Sequence, residues 1–357
     1  MKILKKMKRI IILFCLILAM YANNFAFVNN YNFFGYSQID YSISNKINDN
    51  QAKFEITRLN LIGDFNLNSN ARFVSDIELE HNMNFSENGN VGVIKFSQVW
   101  AEYSFLPEIK LRAGKILTNF GLYNKIHDAS PTYFSINSPF IYSRFSQNHN
   151  SKNAQRFYGK YILGVEATGT LDIDNHGSQL EYSLMFGNGR NEFVGNTYVD
   201  NNTAFASRIY LTPSFIRGLQ IGCSIYGDEN EIGFANQPNS MEITPAFELQ
   251  YEYQDFQFQG EVFLPSYKDT TYENQSSVLS YVHFAYTFFD VLTPYTQLSL
   301  IKFDGNSENE SSQIVFGLNY AISNNFFVKA EAQYNSMEFG KVKSEFATFK
   351  SSLSIAF

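Results

Sequence analysis

Cysteine is almost missing from this chain. Cys15 and Cys223 are the two present in 357 residues. Cys15 sits inside an N-terminal apolar run, and Phe14 before it is too large for a lipoprotein signal. Once that run is removed Cys223 stands alone, which excludes an intramolecular disulfide framework. Tryptophan is reduced to Trp100. After residue 26 no stretch approaches the ~18 consecutive apolar residues of a membrane-crossing helix. Metal-type spacing is also lacking: His81, His127, His149, His176 and His283 are scattered. The adjacent His127-Asp128 pair is read as loop hydrogen bonding. No glycine-rich phosphate loop and no nucleophile elbow occur, so an enzyme is not expected, and neither is a cofactor or a metal.

Positive charge is short as well, and it is unevenly placed. Lys2, Lys5, Lys6, Lys8 and Arg9 precede the apolar run Ile10 to Met20, with Ala22 and Ala26 beyond it. This is the pattern of a secretory signal, with cleavage expected at 22–26 and residues 27–357 as the mature unit. Losing those five bases leaves 22 against 34 acids, a net charge of −12. A general nucleic-acid binder would need a basic face and is excluded.

Aromatic side chains, by contrast, are abundant: 36 Phe and 23 Tyr bring the aromatic share to 17%. They fall into a two-residue alternation. In Phe349-Lys-Ser-Ser-Leu-Ser-Ile-Ala-Phe357, the residues Phe349, Leu353, Ile355 and Phe357 share one face while Lys350, Ser352 and Ser354 share the other. Phe247–Tyr253, Phe256–Val262 and Val328–Tyr334 repeat it. Applied throughout, the pattern predicts about sixteen strands: 33–43, 54–67, 71–81, 93–105, 109–116, 160–171, 179–186, 202–211, 219–227, 242–253, 256–264, 278–288, 291–303, 313–322, 326–335 and 346–357. Pro245 and Pro294 are placed near strand starts, where a missing N–H does least harm.

The connections alternate in length. Short links such as Asn68-Ser-Asn70, Pro107-Glu108, Gln254-Asp255, Phe289-Asp290 and Ser323-Asn-Asn325 follow even strands, and longer polar segments follow odd ones. Short periplasmic turns and long extracellular loops are the register of an outer-membrane barrel. Phe65, Phe105, Tyr253, Phe256, Phe288, Phe326 and Phe327 cluster beside the short turns, where an interfacial girdle belongs. The fold class expected is all-β: a closed antiparallel transmembrane β-barrel, because unpaired backbone groups in hydrocarbon cost several kcal/mol each. The localisation expected is the bacterial outer membrane. No plug domain is expected, since the first predicted strand begins close to the expected cleavage region.

Two sequence elements resemble a known family. The terminal aromatic Phe357 resembles the signature read by barrel-assembly machinery. The stretch Leu111-Arg-Ala-Gly-Lys-Ile-Leu-Thr-Asn-Phe-Gly-Leu-Tyr-Asn-Lys-Ile-His-Asp128 resembles the passage from strand five into the third loop of porins related to the phosphate-selective porin family. Gly114-Lys115 and Phe120-Gly121 match, while Asn119 stands where proline is usual. Arg58–Gly63 and Trp100–Tyr103 are also similar, so the resemblance spans about residues 54–128. It implies a trimer of barrels, each with its own pore and a folded-in third loop. Phosphate selectivity does not carry over, since no ladder of lumenal bases is present.

On this reading 117–159, the longest connection, is the candidate constriction loop. By parity Arg58, Arg72, Lys110 and Arg112 face the lumen, with Glu102 on the neighbouring strand and Asp128 in the loop as opposing acids. Such an arrangement could set up a transverse field; the alternative is ordinary local pairing. Asp64, Asp76, Glu78, Glu80, Glu166, Glu181, Glu248, Glu252, Glu261 and Glu331 also fall on the lumenal parity, against Arg208, Lys329 and Lys350 as further bases. Weak cation preference follows. Passive diffusion of small polar solutes and ions is the function expected; a loop-occluded structural or adhesive barrel is the alternative.

Overall fold

The computed structural model describes residues 30–46, 52–80, 93–126, 130–143, 156–190, 199–230, 240–268, 275–303, 309–339 and 342–357. The expected signal segment, His127 and Asp128 lie outside them. The strands are β1 (Asn30–Ser44), β2 (Lys53–Asn66), β3 (Ala71–Glu80), β4 (Val93–Leu106), β5 (Ile109–Leu117), β6 (Tyr161–Asp172), β7 (Gln179–Arg190), β8 (Val199–Thr212) and β9 (Leu219–Asn230). The second half comprises β10 (Ser240–Tyr253), β11 (Phe256–Phe263), β12 (Ser266–Lys268), β13 (Gln275–Tyr286), β14 (Leu292–Phe303), β15 (Asn309–Ser323), β16 (Phe326–Phe339) and β17 (Val342–Ala356). Each pairs antiparallel with its sequence neighbours, except that β11 and β12 do not pair with each other. β11 and β12 both lie between β10 and β13, so they are two pieces of one stave and the barrel has sixteen.

The cylinder closes where β1 meets β17, with Ile39 opposite Leu353 and Ile43 opposite Phe349. Gly35 N donates to the Phe357 carbonyl at 2.7 Å and Phe357 N returns the bond at 2.9 Å. No edge is left for hydrocarbon to meet. The β11/β12 break has a local cause. Leu264-Pro265 faces Pro245 of β10, and neither proline can donate to the ladder. Leu264 N still reaches the Pro245 carbonyl at 2.9 Å, which holds the two pieces in line. Pro245 therefore stands further inside its strand than the sequence suggested, at a place where the partner strand is itself interrupted.

Alternation divides the staves into two faces. Phe33, Phe54, Phe186 and Phe316 point outward and are exposed, while Gln38, Asn60, Asp76 and Glu166 point inward and are buried. At the short-turn end Tyr31, Phe33, Phe65 and Phe73 run ring to ring, with successive centroids 5.9, 5.5 and 6.0 Å apart. Tyr103–Phe105 and Tyr286–Phe288 continue this girdle at 4.8 Å each.

The tight turns need left-handed backbone. Phe289 and Asp290 have φ of 55° and 60°, the two left-handed positions of a primed turn that Val291 N closes on the Phe288 carbonyl at 3.1 Å. Gly218 has φ +83°, and a Cβ there would lie 1.7 Å from the Glu252 carbonyl oxygen. Gly177 has φ +92° with open space around it. Gly177→Ala should therefore cost only the left-handed penalty, about 1–2 kcal/mol, and Gly218→Ala clearly more. Urea midpoints of the two variants in detergent check this; equal losses would mean that the Glu252 contact relaxes freely.

Candidate pore constriction

The chain leaves β5 and turns into the barrel. Thr118 N bonds the Lys160 carbonyl at 3.0 Å, and Asn124 Nδ2 bonds both the Thr118 and Lys160 carbonyls, at 2.5 and 3.2 Å. This neck joins the outgoing and returning limbs. Gly121, at φ +66°, makes the inward bend; a Cβ there would strike the Tyr142 hydroxyl at 2.2 Å. Three single 3-10 turns follow, at Asn124–Ile126, Ser130–Thr132 and Phe140–Tyr142. Among the described residues, the loop runs inside the cylinder.

Two anchor regions hold it there. The first lies against β8–β11. Phe120 is fully buried, stacked on Tyr158 at 4.9 Å and set against Phe263 at 5.0 Å. Glu261 accepts from Leu122 N at 2.8 Å and from the Tyr142 hydroxyl at 2.7–2.8 Å. Gly121 N donates to Ser224 Oγ at 3.2 Å. Burial, and then the charge of Glu261, push the Tyr142 hydroxyl well above its ordinary pKa, so it stays a donor. Nearby, burial and Arg208 lower the Lys125 ammonium below its usual value.

The second anchor region is on the far wall. Ile136 N donates to Glu331 Oε1 at 2.6 Å, and the Tyr295 hydroxyl donates to the same oxygen at 2.6 Å. Lys329, fully buried on β16, donates to the Tyr133 carbonyl at 2.6 Å and to the Ser135 carbonyl at 2.9 Å. Gln38 Nε2 reaches the Ile136 carbonyl at 3.2 Å. The loop thus spans the lumen from β5 and β6 to β16 and β1.

The residues singled out in the sequence separate into two groups. Arg58 belongs with the second anchor region: its guanidinium donates to the Tyr133 hydroxyl, to Asn137 Oδ1 at 3.4 Å and to Gln38 Oε1 at 3.1 Å. A bulge opposite Gln38 and Ile39 turns both Thr57 and Arg58 inward. Arg72, Glu102 and Arg112 belong to the wall of β3–β5. Arg72 makes a two-point pair with Asp64, both bonds 2.8 Å. Arg112 is 2.5 Å from Glu102 and 3.1 Å from Glu166. Glu102 thus stands beside Arg112, its register partner on β4, rather than across the lumen from it. Trp100 lies between the two guanidiniums, 5.4 Å from Arg72 and 4.8 Å from Arg112. Its flat seat exists because Gly114 is opposite, where a Cβ would meet the Val99 carbonyl at 2.2 Å. Lys110 lines a cavity toward the short turns with Arg112 and Arg208. Sequence reasoning placed Glu261, Lys329 and Glu331 on the lumenal face but did not find that they hold the loop.

Open space remains on both sides of the loop. A cavity of about 230 Å³ lies against β5–β8 toward the short turns, and one of about 490 Å³ lies against β14–β17, β1 and β2 toward the long loops. Trp100 is the single tryptophan and is buried. Its emission should be blue-shifted and resist acrylamide quenching in the folded barrel; free quenching would show that the Arg72–Trp100–Arg112 stack opens in solution.

A closed sixteen-stave transmembrane barrel with a loop folded into its lumen has the architecture of the outer-membrane porins. Among solved structures, the chain is similar to an anion-selective porin of Comamonas acidovorans, at 12% identity and a TM-score of 0.65, covering 92% of this chain and 99% of that one. It is similar as well to the outer-membrane channel DcaP of Acinetobacter baumannii, at 11% and 0.63, covering 92% and 97%. OmpF of Salmonella typhi gives 10% and 0.60 over 92% and 97%. At such identities the likeness is one of fold. No family model matches the chain. An uncharacterized protein of Aquifex aeolicus (strain VF5) is 27% identical over 231 residues, 63% of this chain. The chain spans about half the length of that curated relative, 51%.

Proposed function

We propose that this protein is an outer-membrane porin, a water-filled channel for passive diffusion of small polar solutes and ions. The observation that carries the reading is the inward loop, bonded to the opposite wall through Ile136 and Glu331 and flanked by polar cavities. A barrel this wide encloses more water than a selective pore needs, and a strap across it narrows the passage. The constriction set comprises Arg58, Arg72, Glu102, Lys110 and Arg112, with Asp128 of the loop as a further acid. Lumenal acids outnumber lumenal bases, which supports a weak preference for cations. Salt screens such fields over about 8 Å, so the preference stays mild. A homotrimer in outer-membrane lipid, inserted by barrel-assembly machinery through the strand ending at Phe357, completes the proposal; OmpT of Vibrio cholerae, also similar in fold, has a trimer form.

A second reading, a barrel occluded by its loop, draws on the aromatic cluster in which Phe120, Phe157, Tyr158 and Phe263 are wholly buried. Planar bilayers separate the two. The porin reading expects stepwise currents and a small zero-current potential of cationic sign in a salt gradient. Folded protein that inserts without steps would establish the occluded barrel. A strong anionic potential would overturn the charge argument alone.

A further inference from the structure

The cavity toward the long loops differs chemically from the acidic lumen around it. Its wall on β14–β16 carries neutral amides: Gln297, Gln313, Gln333 and Asn335. Gln313 and Asn335 are register partners joined by a 2.8 Å bond, and Phe346 of β17 follows next in the same row. The floor is the loop itself, through Ser135, Asn137 and Ser138. The adjoining wall carries Lys350 of β17, Arg58 of β2 and Lys46 just beyond β1, and Arg156 comes from the returning limb of the loop. Among the described residues Glu331 is the one acid lining the space; it is the register partner of Lys350, and its oxygens already accept from Ile136, Tyr295 and Gln333.

Each group limits the ligand. Amides and hydroxyls offer paired donors and acceptors, which suit vicinal hydroxyl groups. Lys46 lies over the Phe346 ring at 5.0 Å, which places positive charge beside the amide wall. Among the described lining residues Arg58 and Arg156 are already bonded to the loop, and Lys350 and Lys46 carry the positive charge that favours a single anionic group at the β17–β1 side. A volume of about 490 Å³ accommodates one or two sugar rings.

We infer that this vestibule is a binding site for small sugar acids, hydroxyl-rich solutes bearing one carboxylate, which it holds above the constriction before they pass. The inference rests on the porin reading for passage but not for binding. A channel subsite must hold weakly enough to release, so a dissociation constant of about 1 mM is expected. The anion is bound locally while the rest of the lumen still favours small cations.

The test uses the full-length protein in detergent and in bilayers, with glucuronate, glucose and acetate as probes. Calorimetry should show glucuronate binding about tenfold tighter than either glucose or acetate, and glucuronate should interrupt the current from the long-loop side. Lys350→Gln should weaken glucuronate about tenfold and leave glucose unchanged, while Asn335→Ala weakens both. Both variants should keep the parent's shift in gel mobility on heating, which shows that they fold. Equal binding of acetate and glucuronate would reduce the site to a general anion trap and overturn the inference. No binding by conducting protein would overturn it and leave the porin reading standing. Binding without any current would uphold the site and remove the porin reading.

Discussion

Lys329→Met should release the far end of the loop and raise single-channel conductance, together with the size of polymer that can enter the pore. Two bonds from a buried ammonium to the Tyr133 and Ser135 carbonyls are lost, at 2.6 and 2.9 Å. Hydrogen bonds to charged groups contribute about 1.5–3 kcal/mol each. A loss of about 3 kcal/mol moves a two-state equilibrium by more than a hundredfold. Methionine keeps the volume of the side chain, so packing around residue 329 is largely preserved. Glu331→Gln should act in the same direction but less strongly, because the amide oxygen still accepts from Ile136 N. Conductance and polymer exclusion limits that match the parent in both variants would show that the first anchor region alone positions the loop.

Arg208→Met should destabilise the barrel by about 3–5 kcal/mol. Glu248 is wholly buried and accepts from Arg208 Nε at 2.9 Å, from Nη2 at 2.5 Å and from Ser224 Oγ at 2.8 Å. Removing the cation leaves a buried carboxylate with one hydroxyl donor. Burying a charge without its partner costs far more than the pair itself contributes. The double change Arg208→Met with Glu248→Leu should therefore recover most of the loss, since apolar pairs of similar volume are often neutral replacements. Urea unfolding in detergent and the shift in gel mobility on heating measure both. A single variant as stable as the parent would mean that water reaches Glu248.

The barrel was legible because lipid imposes a strict rule on every second side chain. All sixteen staves fall where alternation places them. The loop-side ends were underestimated: β7 runs to Arg190 rather than 186, β16 to Phe339 rather than 335, and β15 begins at Asn309 rather than 313. Above the bilayer a strand can continue its ladder without apolar alternation. Gly187-Asn-Gly189 therefore reads as a turn although Gly187 and Asn188 pair with β8. The charged wall was partly legible, since Arg112 meets Glu102 and Glu166 as direct register partners on the two adjacent strands. The loop anchors were not. Parity says that Glu331 faces inward, but its bond to Ile136 joins residues 195 apart along the chain. No local pattern encodes that meeting, which depends on how far the strap reaches across the lumen.

The two cavities do not share an axis. One opens against β5–β8 and the other against β14–β17, β1 and β2, with the strap between them. A rigid rod aligned with the barrel and seated in one would miss the other. On the porin reading, a solute that uses both cavities shifts across the barrel on its way, so stiffness and length become sieving criteria alongside girth.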